Sequence, residues 1–321
     1  MRFVMRAIEM PDFAAVEAAA ARIAPHAQRT PVMRAHSLDA LSGAELHFKC
    51  ENLQRVGAFK FRGACNAVWS LADDVAMRGV ATHSSGNHGA ALALAARTRG
   101  IAAHVVVPEG AVRSKVAAIE AYGATLHRCA PTMAAREAAA ERVSATTGAT
   151  LVHPFTDPRV IAGQGTAALE LIREVDALVV PVGGGGLVGG SAIAARALNP
   201  KMAVYAAEPS GAADAYESLR RDERVTDVVP DTICDGLRGG IGPINFAMLK
   251  HYAIEVLPVS DQDTVAAMRL VWERLKIIVE PSSAVALAAI LANAARFAGR
   301  RVGIILSGGN VDLDGYFCDR S

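Results

Sequence analysis

Lys60 is the residue of this 321-residue chain best placed for covalent chemistry, because of the segment around it. It stands in Gly57-Ala58-Phe59-Lys60-Phe61-Arg62-Gly63-Ala64, between two phenylalanines. An apolar setting disfavours the ammonium form and lowers the amine pKa, which suits a Schiff-base nucleophile that also carries protons. A lysine beside aromatics is otherwise a common snorkelling surface residue, so the case depends on its company. Two turns in the chain are built to receive anions. Ser84-Ser85-Gly86-Asn87-His88-Gly89 follows the strand-like VATH and opens a helix-like run. Unpaired N–H groups there would face a carboxylate or phosphate above the sheet edge. Gly183-Gly184-Gly185-Gly186 lies between ALVVPV and LVGGSAIAARAL, where glycines allow backbone to approach a phosphate as a nest. A further turn, Ser307-Gly308-Gly309-Asn310, follows the strand VGIIL and can turn its hydroxyl to a ligand's ring nitrogen.

The glycines alone do not name their ligand. Gly184, Gly186 and Gly189 formally satisfy G-x-G-x-x-G, and Glu208 ends the next strand where a ribose-binding acid could sit. A glycine-rich run meets that pattern easily. A nicotinamide site would also leave Lys60 and the serine-glycine turns without a role. No Lys-Ser/Thr pair follows the run, so it is not a nucleoside-triphosphate P-loop.

These turns need a scaffold of alternating strands and helices. Short apolar runs at Glu45 to Cys50, Val80 to His83, His104 to Val107, Thr125 to Arg128 and Leu151 to His153 have strand character. After them come Ala177 to Val182, Ala203 to Ala207, Ile254 to Val259 and Val302 to Leu306. Helical stretches are predicted over Phe13–Ile23, Gly89–Arg99, Ser114–Tyr122, Met133–Thr147, Val160–Glu174, Leu187–Leu198, Asp263–Leu275 and Ser282–Ala295. Alternation at this spacing implies βαβ units and an α/β fold with parallel sheets. A net charge of +1 with no block of like charge leaves no electrostatic footprint for nucleic acid or a membrane surface. Cys50, Cys65, Cys129, Cys234 and Cys318 are scattered and odd in number, as expected of reduced thiols in a cytoplasmic protein. Arg2, Arg6, Glu9 and Asp12 interrupt any signal-peptide core, and no apolar run is long enough to span a bilayer.

In this order, the motifs resemble the fold-type II pyridoxal 5'-phosphate (PLP) enzymes of the serine/threonine dehydratase and serine racemase family. The likeness runs from Thr30 to Asp312 through FKFRGA, THSSGNHG, VHPF, IAGQGT, PVGGGG, AAEPSGAADAY, LVWERLK-IIVEPSSAV and LSGGNVD. It implies a two-domain, tryptophan synthase β-like architecture of parallel-rich open sheets flanked by helices. Residues 1–70 and 152–321 would form the large PLP-binding domain, and 71–151 the small one. Lys60 would carry the cofactor and abstract the α-proton. Phe59 would pack beside its ring, Asn87 would bond the 3'-oxygen, and Gly183 to Gly186 with Leu187 would hold the phosphate. Ser307 would face the pyridine nitrogen; unlike an aspartate it cannot keep that nitrogen protonated, which favours β-elimination over transamination. Ser84, Ser85, Gly86, Asn87 and His88 would hold the substrate carboxylate, with Ser85 on the face opposite the lysine. Arg136 falls where similar enzymes place an arginine near the substrate.

The resemblance also implies a divalent cation on Glu208, the carbonyl of Ala212, and Asp214. Hard oxygen donors of this kind favour Mg²⁺, Mn²⁺ or Ca²⁺. The activity implied is loss of water and ammonia from a small β-hydroxy amino acid of the L-serine/L-threonine type. Where relatives carry a Ser-Ser pair after Asp235-Gly236, this chain reads Leu237-Arg238-Gly239-Gly240. The added cation makes 3-hydroxyaspartate, or a bulkier substrate, a second expectation. Ala90 replaces the glutamine of nucleotide-activated racemases, which argues against ATP activation. Racemisation, β-replacement and a non-catalytic amino-acid-binding role are the alternatives, and SSGNHG rather than TSGNTG argues against β-replacement. A homodimer is expected, because relatives are usually dimers.

Overall fold

The computed structural model describes residues 9–111 and 113–312. Cys318 and most of the segment weighed as a signal peptide lie outside the described residues. Among the described residues the strands are β1 Val32–Met33, β2 Glu45–Cys50, β3 Val80–His83, β4 Ala103–Pro108 and β5 Thr125–Cys129. They continue with β6 Thr150–Leu151, β7 Ala177–Pro181, β8 Ala203–Pro209, β9 Glu255–Val259 and β10 Arg301–Leu306. One sheet has the order β1-β2-β10-β7-β8-β9, and the other β5-β4-β3-β6. Every pairing among these strands is parallel except β1 with β2.

The central strand β7 shows why its sequence is continuously apolar. Leu178 and Val180 face a core made with helices Phe13–Ile23, Pro158–Leu169 and Gly186–Leu198. Val179 faces the opposite core, made with helices Asp261–Leu275 and Pro281–Ala292. A parallel strand covered on both faces has no solvent side to mark with polar residues. Element boundaries differ from the sequence-based expectation in two informative places. β8 runs on to Pro209, one residue past Glu208, and the last long helix stops at Ala292 before a separate turn at Ala294–Phe297.

Helix Lys60–Trp69 joins the two sheets. It crosses helix 158–169 at a glycine pair: a Cβ on Gly163 would lie 2.6 Å from the Gly63 Cα. Charged groups lock that crossing. Arg62 is 1% exposed and donates from Nε and Nη2 to Glu51 at 2.7 and 2.8 Å. Its Nη1 donates to Glu170 at 2.8 Å. Lys49, also buried, donates to Glu170 at 2.5 Å and to the Thr30 carbonyl at 2.6 Å. Two cations and two carboxylates balance, and the bonds run between sheet, helix and loop.

Among the described residues, no helix is long and apolar enough to cross a membrane.

Candidate active site

The anion-receiving turns meet at one cavity of about 1110 Å³, which opens at the carboxyl ends of strands from both sheets. Ligands of open α/β sheets bind at that edge. Lys60 begins its helix at the cavity wall, and the segment before it is tied to the turn after β10. The Phe59 N–H donates to the Ser307 carbonyl at 3.0 Å, and the Gly309 N–H to the Gly57 carbonyl at 2.9 Å. Lysine and serine turns, far apart in the chain, are thus joined by backbone bonds.

The Lys60 amine donates to the Pro154 carbonyl at 3.1 Å and lies 5.1 Å from the centre of the Phe59 ring. Burial lowers its pKa to about 8, with the Glu280 carboxylate partly opposing the shift. Only one of the two flanking phenylalanines makes this environment. Phe61 turns into the core beside Val80, Ala91 and Val160.

The glycine run is required by space and backbone conformation. Gly185 has φ +90°, and a Cβ there would fall 2.5 Å from Ile241 and 2.6 Å from Asn245. Among the described residues, no backbone acceptor is recorded for the N–H groups of Gly183 to Leu187. Helix 186–198 starts there, so its dipole favours negative charge beside these open N–H groups. Leu187 is buried at the cavity edge.

Ser84, Ser85 and Gly86 line the cavity half-buried, and Asn87 opens helix Asn87–Arg99. The Asn87 amide donates to both oxygens of Glu280, at 3.0 and 3.2 Å, and accepts from Asn310 at 2.9 Å. Glu280 is 3% exposed. Burial pushes its pKa up to about 7, Asp235 adds to the rise, and the Asn87 bond opposes it. His88 is buried, and burial with the nearby Lys60 charge holds its imidazole well below the ordinary range. The Ser307 hydroxyl, also buried, donates to the Ser282 carbonyl at 3.4 Å.

The two arginines differ. Arg136, on helix Met133–Thr147, lines the cavity with its Nε buried and without a hydrogen-bond partner among the described residues. Arg238 also reaches the cavity, yet its Nε and Nη2 both donate to the Thr232 carbonyl, at 3.0 and 2.6 Å. Its guanidinium is partly committed to its own loop. Glu208 is fully buried and accepts from the N–H groups of Ala215 and Tyr216, both at 2.9 Å. Asp214 accepts from the Ile241 N–H at 2.6 Å, and Ala212 is buried between the two acids in sequence. Burial pushes Glu208 up to about 8, and the neighbouring Asp214 carboxylate adds to the rise.

Glu280 is the site residue that sequence reasoning missed. It precedes Pro281-Ser282-Ser283 at a helix start, which reads as an ordinary N-cap position. The signal available was an acid set in the apolar run Ile277-Ile278-Val279, where burial without a partner is costly.

Known proteins are similar to this chain in sequence and fold. The sequence profile of a family described as "Pyridoxal-phosphate dependent enzyme" matches residues 23–308. A β-hydroxyaspartate dehydratase of Paracoccus denitrificans (strain Pd 1222) is 47% identical over 308 residues, covering 95% of this chain and 98% of that protein. A serine racemase of Arabidopsis thaliana is 47% identical over 310 residues, covering 94% of each. The solved structure of maize serine racemase superposes with a TM-score of 0.94 at 43% identity, over 96% of both chains. A solved threonine deaminase, from T.th., superposes with a TM-score of 0.89 at 40% identity, covering 94% of this chain and 99% of that one. With a profile match over most of its length and relatives this similar, the chain belongs to the pyridoxal-phosphate dependent enzyme family.

Proposed function

We propose that this chain eliminates water from a small β-hydroxy amino acid and yields a 2-oxo acid and ammonia. The observation that carries the reading is that the Phe59 N–H to Ser307 carbonyl bond holds the turn bearing Ser307 against the segment that presents the Lys60 amine to the cavity. PLP supplies the aldehyde that joins the lysine and the ring that withdraws electrons. The residues present fit it. Open N–H groups at Gly183 to Leu187 suit the phosphate, Phe59 lies beside the amine, and the Asn87 amide is aimed by Glu280 and Asn310. Ser307 would face the ring nitrogen.

Lys60 would take the Cα proton, and burial, which lowers its amine pKa to about 8, raises the neutral fraction available to do so. The turn from Ser84 to His88 holds the carboxylate and fixes which Cα bond faces the amine. Ser85 stands where the opposite face would lie. The β-hydroxyl leaves with its bonding electrons and takes up a proton to depart as water; the enamine formed tautomerises to an imine, which one water hydrolyses to the 2-oxo acid and ammonia.

A second reading, 3-hydroxyaspartate as the substrate, is supported by the β-hydroxyaspartate dehydratase relative and by Arg136 at the cavity wall, whose Nε has no hydrogen-bond partner among the described residues. Serine racemase relatives keep racemisation as the reading to exclude. The test is a panel of L-serine, L-threonine and 3-hydroxyaspartate, with ammonia release and the chirality of remaining amino acid followed together. Ammonia in step with 2-oxo acid is expected, and inverted amino acid without ammonia would contradict the reading.

The cation belongs to this proposal too. Glu208 and Asp214 are buried carboxylates side by side, and neither forms an ion pair with a cationic side chain among the described residues. Mg²⁺, Mn²⁺ or Ca²⁺ held by them and the Ala212 carbonyl would satisfy that charge. A folded-state pKa raised from 4.5 to about 8 means stability is full below 4.5 and falls as pH rises through 8. In cation-free buffer, urea unfolding is therefore expected to show declining stability over that window. Added Mg²⁺ should restore more at pH 8 than at pH 5; an equal gain at both would contradict a site on Glu208. The division into lobes of 71–151 and 1–70 with 152–321, a cytoplasmic location and a homodimer complete the proposal. Segregation of β3 to β6 into their own sheet supports the first.

A further inference from the structure

His83 ends β3, and His153 stands two residues beyond the end of β6. The register pairs Val80 with Thr150 and Ala81 with Leu151, so the two histidines come side by side at the carboxyl edge of the sheet. Their ring centres are 5.0 Å apart. Glu137, from helix 133–147, completes a group whose potential ligand atoms lie within 4.8 Å of one another. Two imidazoles and a carboxylate look like a cation site.

The hydrogen bonds argue otherwise. His153 Nδ1 accepts the backbone N–H of Thr156 at 3.1 Å and that of Phe155 at 3.4 Å. A nitrogen that accepts N–H groups carries no proton, so the neutral ring is the Nε2–H tautomer. A metal-binding imidazole needs the reverse arrangement, with its second N–H given to an acceptor. The turn at Pro154 to Thr156 therefore makes His153 a fixed donor, and the ring lines the cavity.

This donor sits beside the chemistry. The Lys60 amine bonds to the carbonyl of the adjoining residue, Pro154, at 3.1 Å. The buried Nε of Arg136, without a partner among the described residues, belongs to the same cavity. We propose that His153 is a specificity-determining residue whose Nε2–H donates to an oxygen on the β-carbon of the substrate. That oxygen is the β-hydroxyl itself or the carboxylate attached beyond it. The inference rests on the elimination reading and adds to it a preference for oxygen-bearing β-substituents.

The holoenzyme tests it with three substrates: L-serine, 3-hydroxyaspartate and β-chloroalanine, whose leaving group needs no N–H donor to oxygen. His153→Asn keeps a side-chain oxygen for the Thr156 and Phe155 N–H groups but removes the outward donor. We expect it to lose about 10–100-fold in kcat/KM for the oxygen-bearing substrates, as for a lost hydrogen bond to a polar or charged group. With β-chloroalanine the change should stay under about 3-fold, which also controls for folding. His153→Gln, which can restore a donor, should recover part of the loss. Loss on 3-hydroxyaspartate alone supports the distal carboxylate as acceptor, and loss on serine as well supports the hydroxyl. Equal loss on all three substrates, or loss on none, overturns the proposal. Wild-type enzyme inert toward all three would overturn the elimination reading, and this inference with it, before any variant is compared.

Discussion

Replacing Lys60 with alanine is expected to remove turnover of every β-hydroxy amino acid by roughly 10³-fold or more, with the fold intact. The lysine is asked to do two things: bond the cofactor and move the Cα proton. Among the described residues, no other amine reaches the reacting centre in the same way. Lys115 lines the same cavity, but its ammonium is paired with Asp235. Among the described residues the Lys60 amine makes one hydrogen bond, to the Pro154 carbonyl, and no ion pair, so its loss orphans no buried charge. Circular dichroism and the urea midpoint should therefore match wild type while ammonia release disappears. A variant that kept a tenth or more of the activity would show that another group takes the proton.

The second large effect is on stability, two residues further along. Arg62→Met should destabilise the fold by about 3–5 kcal/mol, because it leaves the Glu51 carboxylate buried without its partner. Glu51 is 0% exposed, and its side-chain bonds are to Arg62 and the Thr30 hydroxyl. Removing both charges, as Arg62→Met with Glu51→Leu, should cost less than the single change, since a missing pair is less damaging than an orphaned charge. Urea unfolding of the three proteins measures this. A double variant less stable than the single would mean that the ion pair itself, rather than the orphaned acid, carries the energy.

The sequence is most readable where chemistry is local. A strand, a glycine turn and a helix start are neighbours in the chain, so the cradle at Gly183 to Gly186 and the turn at Ser84 to His88 are visible without a structure. Glycine is required at 185 by φ +90°, a constraint that a glycine between strand and helix already suggests. The apolar neighbourhood of Lys60 has only part of the origin that its flanking residues suggest, since Phe61 faces the core and the desolvating surface is the cavity wall.

Partners far apart in the chain are hidden from such a reading. Asn87 and Glu280 are separated by 193 residues, and Asn310 and Asn87 by 223, yet together they orient the amide that would meet the cofactor. The apolar run before Glu280 hints at burial, but nothing in the local pattern names the amide that the carboxylate holds. Arg238 illustrates the opposite case. Its cation is conspicuous in the sequence, but a carbonyl six residues away holds the guanidinium, while the less conspicuous Arg136 keeps its Nε unpartnered among the described residues. The tautomer of His153 depends on backbone N–H directions in a turn, which only a folded chain defines.

Reductive trapping of the cofactor bears most directly on all of this. Purified protein saturated with the cofactor is treated with borohydride, digested, and its peptides weighed. A pyridoxyl group on the peptide bearing Lys60, and absent from the Lys60→Ala protein, is the expected result. An unmodified Lys60 peptide, or the label on a different lysine, would contradict the account at its root.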